Sequence, residues 1–137
     1  INIVEQLRNM TDPAPGMVSR EFFDVQKLAI TQFPAVLVIT SNETREDIST
    51  LHREGIIQYS LRCYVRGTQI DTLRNNIVEK IEETLEVSRN RDLTLSSTNI
   101  NNVTTHVSSV EVVERELPLG EVIVNVDVRY KYRKGVL

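Results

Sequence analysis

The sequence predicts an α+β domain: a mostly antiparallel or mixed sheet of four to five strands packed against one long amphipathic helix, with a short helix at the N-terminus. Three observations carry that prediction. Apolar residues recur at helical spacing over 68–87, they alternate with polar residues over 56–67 and 117–133, and two prolines separate an N-terminal helical stretch from the rest.

Ile3, Val4, Leu7 and Met10 fall on one side of a helix, and TDPAPG at 11–16 ends it, because proline removes amide donors and clashes with a continuing turn. Residues 17–32 fit two readings: Phe22, Val25 and Ala29 suit a helix, while Val18, Arg20 and Phe22 suit an edge strand. FPAVLVIT at 33–40 is apolar on both faces and β-branched, the pattern of a strand covered on both sides or on one side by a neighbouring subunit. The stretch SNETREDISTLHREG at 41–55 is a polar excursion, too polar for the core. Ile48 and Leu51, three apart within it, suggest a helical turn or a hairpin with a small apolar anchor.

Over 56–67, Ile57, Tyr59, Leu61, Cys63 and Val65 face inward while Gln58, Ser60, Arg62 and Arg66 face outward, which is a half-buried strand. The helix at 68–87 carries a stripe of Ile70, Leu73, Ile77, Ile81 and Leu85, widened by Val78, with Glu79, Lys80, Glu82, Glu83 and Glu86 on its other surface. Thr68 or Asp71 is placed to cap its free amides. Burying each large aliphatic side chain of such a stripe contributes about 1.5–3 kcal/mol. After the polar loop at 88–99, residues 100–116 alternate with a change of phase, Val103, Thr105 and Val107 first, then Val110 and Val112. A β-bulge near Ser108 and Ser109 returns the later valines to the core face.

RELPLGEV then turns the chain into the closing strand of a long antiparallel hairpin. Val122, Val124, Val126, Val128, Tyr130 and Tyr132 point one way; Asn125, Asp127, Arg129, Lys131 and Arg133 point the other. At about 3.3 Å per residue such a strand spans well over ~30 Å, roughly twice the usual length and more than one small core requires.

Composition narrows the function. The 137 residues, 40% of them hydrophobic, amount to one ordinary domain, and a net charge of −3 spread over mixed signs argues against a basic groove for nucleic acid or an anionic membrane. Cys63 is a lone cysteine in a strand-like run and reads as a reduced core thiol. No apolar run approaches the ~18 residues of a bilayer span and no signal-like segment opens the sequence, so the expectation is a soluble chain, intracellular when made.

No P-loop, dinucleotide turn, nucleophile elbow or cysteine pair is present. His52 and His106 lack metal-ligand spacing. Glu82, Glu83 and Glu86 read as a solvated helix face rather than acid–base groups. The expectation is a protein that is not an enzyme, with no catalytic, metal-binding or cofactor-binding residues.

Taken together, the N-terminal helix, FPAVLV, the excursion ending in REGIIQYSLRCYVRG, the helix beginning DTLRNNIVEKIE and the closing VSSVEVVERELPLGEVIVNVDVRYKYRKG resemble the tail terminator proteins of long-tailed bacteriophages. The likeness covers nearly the whole chain. Its most specific part is Pro118 and Gly120 followed by alternation to Tyr130, a pattern of structure and not a chemical signature. The resemblance implies an α/β subunit of a hexameric ring that caps the tail tube, stops its polymerisation and presents a docking surface to the head-neck connector. It implies assembly in the host cytoplasm, a place in the virion neck, and as partners the tube protein, the connector or stopper protein and further copies of the chain. DNA would meet it only in transit: six copies carry 6 × −3 = −18, which disfavours tight holding of a duplex. No membrane is involved.

Within that frame the excursion, with Glu43, Arg45, Glu46, Asp47, Ile48 and Leu51, is expected to touch another subunit, the tube or a contractile sheath. Tyr130 and Tyr132 extend the apolar face toward either a neighbour or the chain's own N-terminal helix. Arg62, Arg66, Asn125, Asp127, Arg129 and Lys131 form a face that is either solvated or lines the channel. Two other readings stand beside this one: another neck ring, such as a head-completion stopper or connector, and a small α+β ligand-binding or enzymatic domain, which would need a deep apolar pocket with convergent polar groups.

Overall fold

Helix α1 (Ile3–Arg8) leads into a short strand β1 (Met17–Ser19), two single 3-10 turns (Val25–Lys27 and Ile30–Gln32), strands β2 (Ala35–Asp47) and β3 (His52–Arg66), helix α2 (Ile70–Val87), and strands β4 (Ile100–Val113) and β5 (Leu119–Arg133). This is the order in a computed structural model that describes residues 3–11, 15–47, 51–87 and 100–133. The strands form one mixed sheet in the order β1-β2-β3-β5-β4, with β1 parallel to β2 and the other pairs antiparallel. The architecture is the predicted α+β domain, one sheet with one long helix packed on it.

The α2 stripe lies on the front of the sheet. Ile70, Ile77, Ile81 and Leu85 are buried, and Leu73 and Val78 pack at the margin. They meet Val36 and Val38 of β2, Tyr59, Leu61, Cys63 and Val65 of β3, and Val122, Val124, Val126 and Val128 of β5, while Ile3, Leu7 and Met10 close one side. Gly120 permits the first turn of α2 to rest on β5, since a Cβ there would collide with Ile70 Cγ2. Of the two capping candidates, Thr68 precedes the helix and Asp71 sits in its first turn, 3.6 Å from Arg74.

Residues 17–32 follow neither reading in full. Three residues join the sheet edge, and the remainder turns back over the rear of β2 and β3. Asp24 accepts from the Gln26 amide at 3.0 Å and the Gln32 side chain accepts from the Ala29 amide at 2.8 Å, so local side-chain bonds replace a helical ladder. Val25, Ala35, Leu37 and Tyr64 are buried there, with the Phe23 ring edge-on to Tyr64 at 5.7 Å. The cover expected on both sides of residues 33–40 is thus supplied within the chain.

Of the two readings of the excursion at 41–55, the hairpin is the one the structure shows. β2 runs on to Asp47 and β3 starts at His52, with the two strands paired antiparallel as far as Asp47 and Arg53. A bulge at Ser41, whose hydroxyl donates to the Gln58 carbonyl at 2.9 Å, marks where the sheet leaves the core. Beyond it the residues are polar and exposed on both faces, and among the described residues no helix covers either one. A strand of that kind shows no apolar alternation.

The bulge expected in β4 lies between Val107 and Ser109. It brings Val110 and Val112 opposite Val124 and Val122, on the core face as predicted. Their burial was not as predicted: at the outer edge of the sheet they remain 44% and 59% exposed.

Candidate assembly surfaces

Four strands of 13 to 15 residues, β2, β3, β4 and β5, carry the sheet past α2. In this projecting tip Gly55 pairs with Tyr130, and the tyrosine ring lies where a Cβ on Gly55 would be. The Tyr130 hydroxyl donates to Glu43 Oε1 at 2.5 Å, so the ring crosses β3 from β5 to β2. Tyr130 is only 3% exposed. Gly55 and Glu43 of its own chain contribute to its cover.

Around it Arg45 lies 3.6 Å from Glu43 and Arg53 lies 3.0 Å from Asp47. These four point to the front, while Glu46, in register with Glu54, points to the rear. Leu51 is exposed at the end of the tip. Ile48 and the side chains of Tyr132 and Lys131 lie outside the described residues.

Arg62, Asn125, Asp127 and Arg129 do share the rear face, but much of it is tied together. Ser60 donates to Asn125 Oδ1, and the Asn125 amide donates to Ser109 Oγ, both at 2.9 Å, so a polar ladder crosses three strands. Arg129 donates to Glu54 at 3.3 Å. Glu121 is fully buried between two arginines, with Arg62 Nε donating to one oxygen at 3.2 Å and Arg115 Nε to the other at 2.7 Å. The Arg115 guanidinium also lies over the Tyr64 ring, 5.2 Å from its centroid. Arg66 stands apart, exposed beside an apolar groove.

Burial governs the perturbed groups. It pushes the Cys63 thiol well above its ordinary range, and the Glu121 charge adds to the effect. Burial also raises Tyr64, again with Glu121, while Arg62 and Arg115 oppose it. Tyr59 is raised by burial against the opposing charge of Arg20. A buried neutral thiol is a poor nucleophile.

The two lateral edges of the sheet differ in character. Val110 and Val112 are exposed on the front of β4, Leu117 (74% exposed) lies in the link to β5 beside the start of α2, and Glu114 and Glu116 of that link and Glu111 on the rear of β4 are also exposed. Further up the same edge Glu86 of α2 accepts from the Val107 amide at 3.2 Å, with its oxygen 3.5 Å from His106 Nδ1. One amide of the open edge is therefore capped. On the other side, between α2 and the second 3-10 turn, a groove of about 210 Å³ is lined by Ile30, Phe33, Pro34, Val65, Leu73 and Arg66 among others. A shallower cleft of about 490 Å³ borders the start of α2 and the 114–117 link, where Arg74 pairs with Asp71 and Arg115 with Glu121.

The chain matches no protein-family model and no curated protein. Among the described residues, no group of three or more His, Cys, Asp or Glu is arranged to hold a metal ion, and no helix is long and apolar enough to cross a membrane.

Gly55, Glu121 and Glu86 are the residues that sequence reasoning passed over or misread. A glycine inside a strand pattern is a signal of close approach, and Gly55 was open to that reading. Glu86 read as solvated because its partner is an edge amide, and amides leave no mark in a sequence. Glu121 sits at an outward position of an alternating strand, so its burial depends on a link and a neighbouring strand that periodicity does not report.

Proposed function

We propose that this chain is a structural virion protein of a long-tailed phage, a tail terminator whose six copies form a ring on the last layer of the tail tube, halt its growth and offer the upper face to the head-neck connector. The observation that carries the reading is the projecting sheet. Long strands running beyond a small core, joined by the Tyr130–Glu43 hydrogen bond, make a blade whose β2 residues 41–47 are exposed on both faces. A ring subunit needs two different contact surfaces, and a sheet with two unlike edges and a projecting tip supplies them without a further domain. The sequence resemblance set out above supplies the identity of the tube and connector as partners.

Electron microscopy of the purified protein, with and without purified tube subunits, tests the proposal. The expected result is a closed six-membered ring seated at one end of shortened tubes. Single subunits bound at tube ends, or tubes of unchanged length, would overturn it. A ring that binds the connector and ignores the tube would instead make the chain a stopper of the same neck.

A further inference from the structure

We infer that copies of this chain meet head to tail, with the β4 edge of one, bearing Val110, Val112 and Leu117, seated against the groove of the next, lined by Ile30, Phe33 and Leu73. This deepens the ring reading and rests on it for the number of copies, but the contact itself is argued from the two surfaces.

The patch and the groove lie on opposite sides of the sheet, since β4 ends the strand order while the groove opens beside the segment that precedes β2. They also lie near one level along the strands: Val65 in the groove pairs with Gly120, and Val112 in the patch pairs with Val122 two residues away. Neighbours related by rotation alone, without a rise, can therefore join them. Leu117 and Ile30 are 74% and 73% exposed, aliphatic side chains that a lone subunit leaves in water. The groove, at about 210 Å³, is of a size for an aliphatic side chain.

Charge selects this pairing over the alternatives. Glu114 and Glu116 stand exposed in the link beside Leu117, where Arg115 is paired with Glu121 and Arg74 with Asp71, and Glu111 is exposed on the rear of the same strand, whereas the charged residue lining the groove is Arg66. Patch against patch would set carboxylates against carboxylates, and groove against groove would set Arg66 against Arg66 and leave Val110, Val112 and Leu117 of both copies uncovered. Unlike surfaces meeting in turn make a heterologous contact, which repeats from copy to copy instead of stopping at a dimer.

The test uses Val112→Cys and Ile30→Cys, two exposed positions, with a flexible bismaleimide at near-millimolar protein; the native Cys63 is fully buried. The expected result is a cross-linked dimer when the two variants are mixed and a ladder of larger species from the double variant. Adding Leu117→Glu should reduce the yield at least tenfold. Homodimers from either single variant, or a mixture no more cross-linked than the unsubstituted protein, would overturn the contact. Rings seen by microscopy without this cross-link would leave the ring reading standing and remove these surfaces from it. A ladder of open chains that never closes would keep the contact and sink the ring.

Discussion

Tyr130 donates a hydrogen bond to Glu43 at 2.5 Å from two strands away, and the ring reaches it by passing over Gly55. Three strands are thereby joined in the part of the sheet where β2 is exposed along residues 42–47. Gly55→Ala should drive the ring off its seat and break the bond, at a cost of about 1–3 kcal/mol for forced overpacking. In a Tyr130→Ala background the added methyl has room, so the same change should cost far less. Urea unfolding of the four proteins measures that difference. An equal cost in both backgrounds would mean that the ring does not depend on Gly55.

Glu121 is the buried charge of the molecule whose removal should be felt most. Glu121→Gln keeps the shape but leaves two arginines facing a neutral group, and a loss of roughly 1–3 kcal/mol is expected for the charge-assisted bonds. Arg115→Ala should cost less, because Arg62 still pairs with the carboxylate and both arginine side chains are already about a third exposed, at 37% and 31%. Chemical denaturation of the two variants gives the order. The reverse order would place the contribution of Arg115 in its stacking on Tyr64 instead.

The parts of this structure that were legible are those with one wet face and one dry one. The α2 stripe, β3 from Ile57 to Val65 and β5 from Val122 to Val128 carry their burial in their period. Residues 41–47 do not, because both faces of that strand meet water and only pairing with β3 makes it a strand. The phase of Val110 and Val112 was legible, bulge included. Their exposure was not, since it follows from β5 inserting between β3 and β4 and leaving β4 outermost. Among the surfaces, the importance of the tip was visible as an unusual length of strand and a cluster of charge. The clamp at Tyr130 depends on its register against Gly55, and register is a property of the folded sheet.

Cys63 makes stability depend on alkaline pH. Its thiol is fully buried, and burial raises its pKa far above the unfolded value. Because the folded state holds the proton more tightly, this stability is complete below the ordinary thiol pKa of about 8.5 and is lost progressively as pH rises above it. The expected slope from this one group is about 1.4 kcal/mol per pH unit, until the phenols of Tyr59 and Tyr64, also raised, add to the loss. Unfolding at stepped pH values, compared with Cys63→Val, isolates the thiol. A variant that loses stability just as steeply between pH 8.5 and 10 would assign the slope elsewhere.

The last prediction separates folding from assembly at the tip. Arg45 and Asp47 point to the front of β2 with side chains 44% and 62% exposed, and their ion pairs with Glu43 and Arg53 span 3.6 and 3.0 Å. Pairs this exposed contribute about 0–1 kcal/mol each, because solvent screens them and long side chains lose entropy in holding them. The double replacement Arg45→Ala with Asp47→Ala should therefore leave the melting temperature within several degrees of its original value. Removing opposite charges from a projecting strand alters which partner it fits more than how firmly it binds. If the tip meets tube, neighbour or sheath, the folded double variant should join tails poorly, seen as tubes of uncontrolled length and few infectious particles. A variant that melts normally and assembles normally would assign the tip to solvent, and the contacts of the subunit would then fall to the β4 edge and the groove.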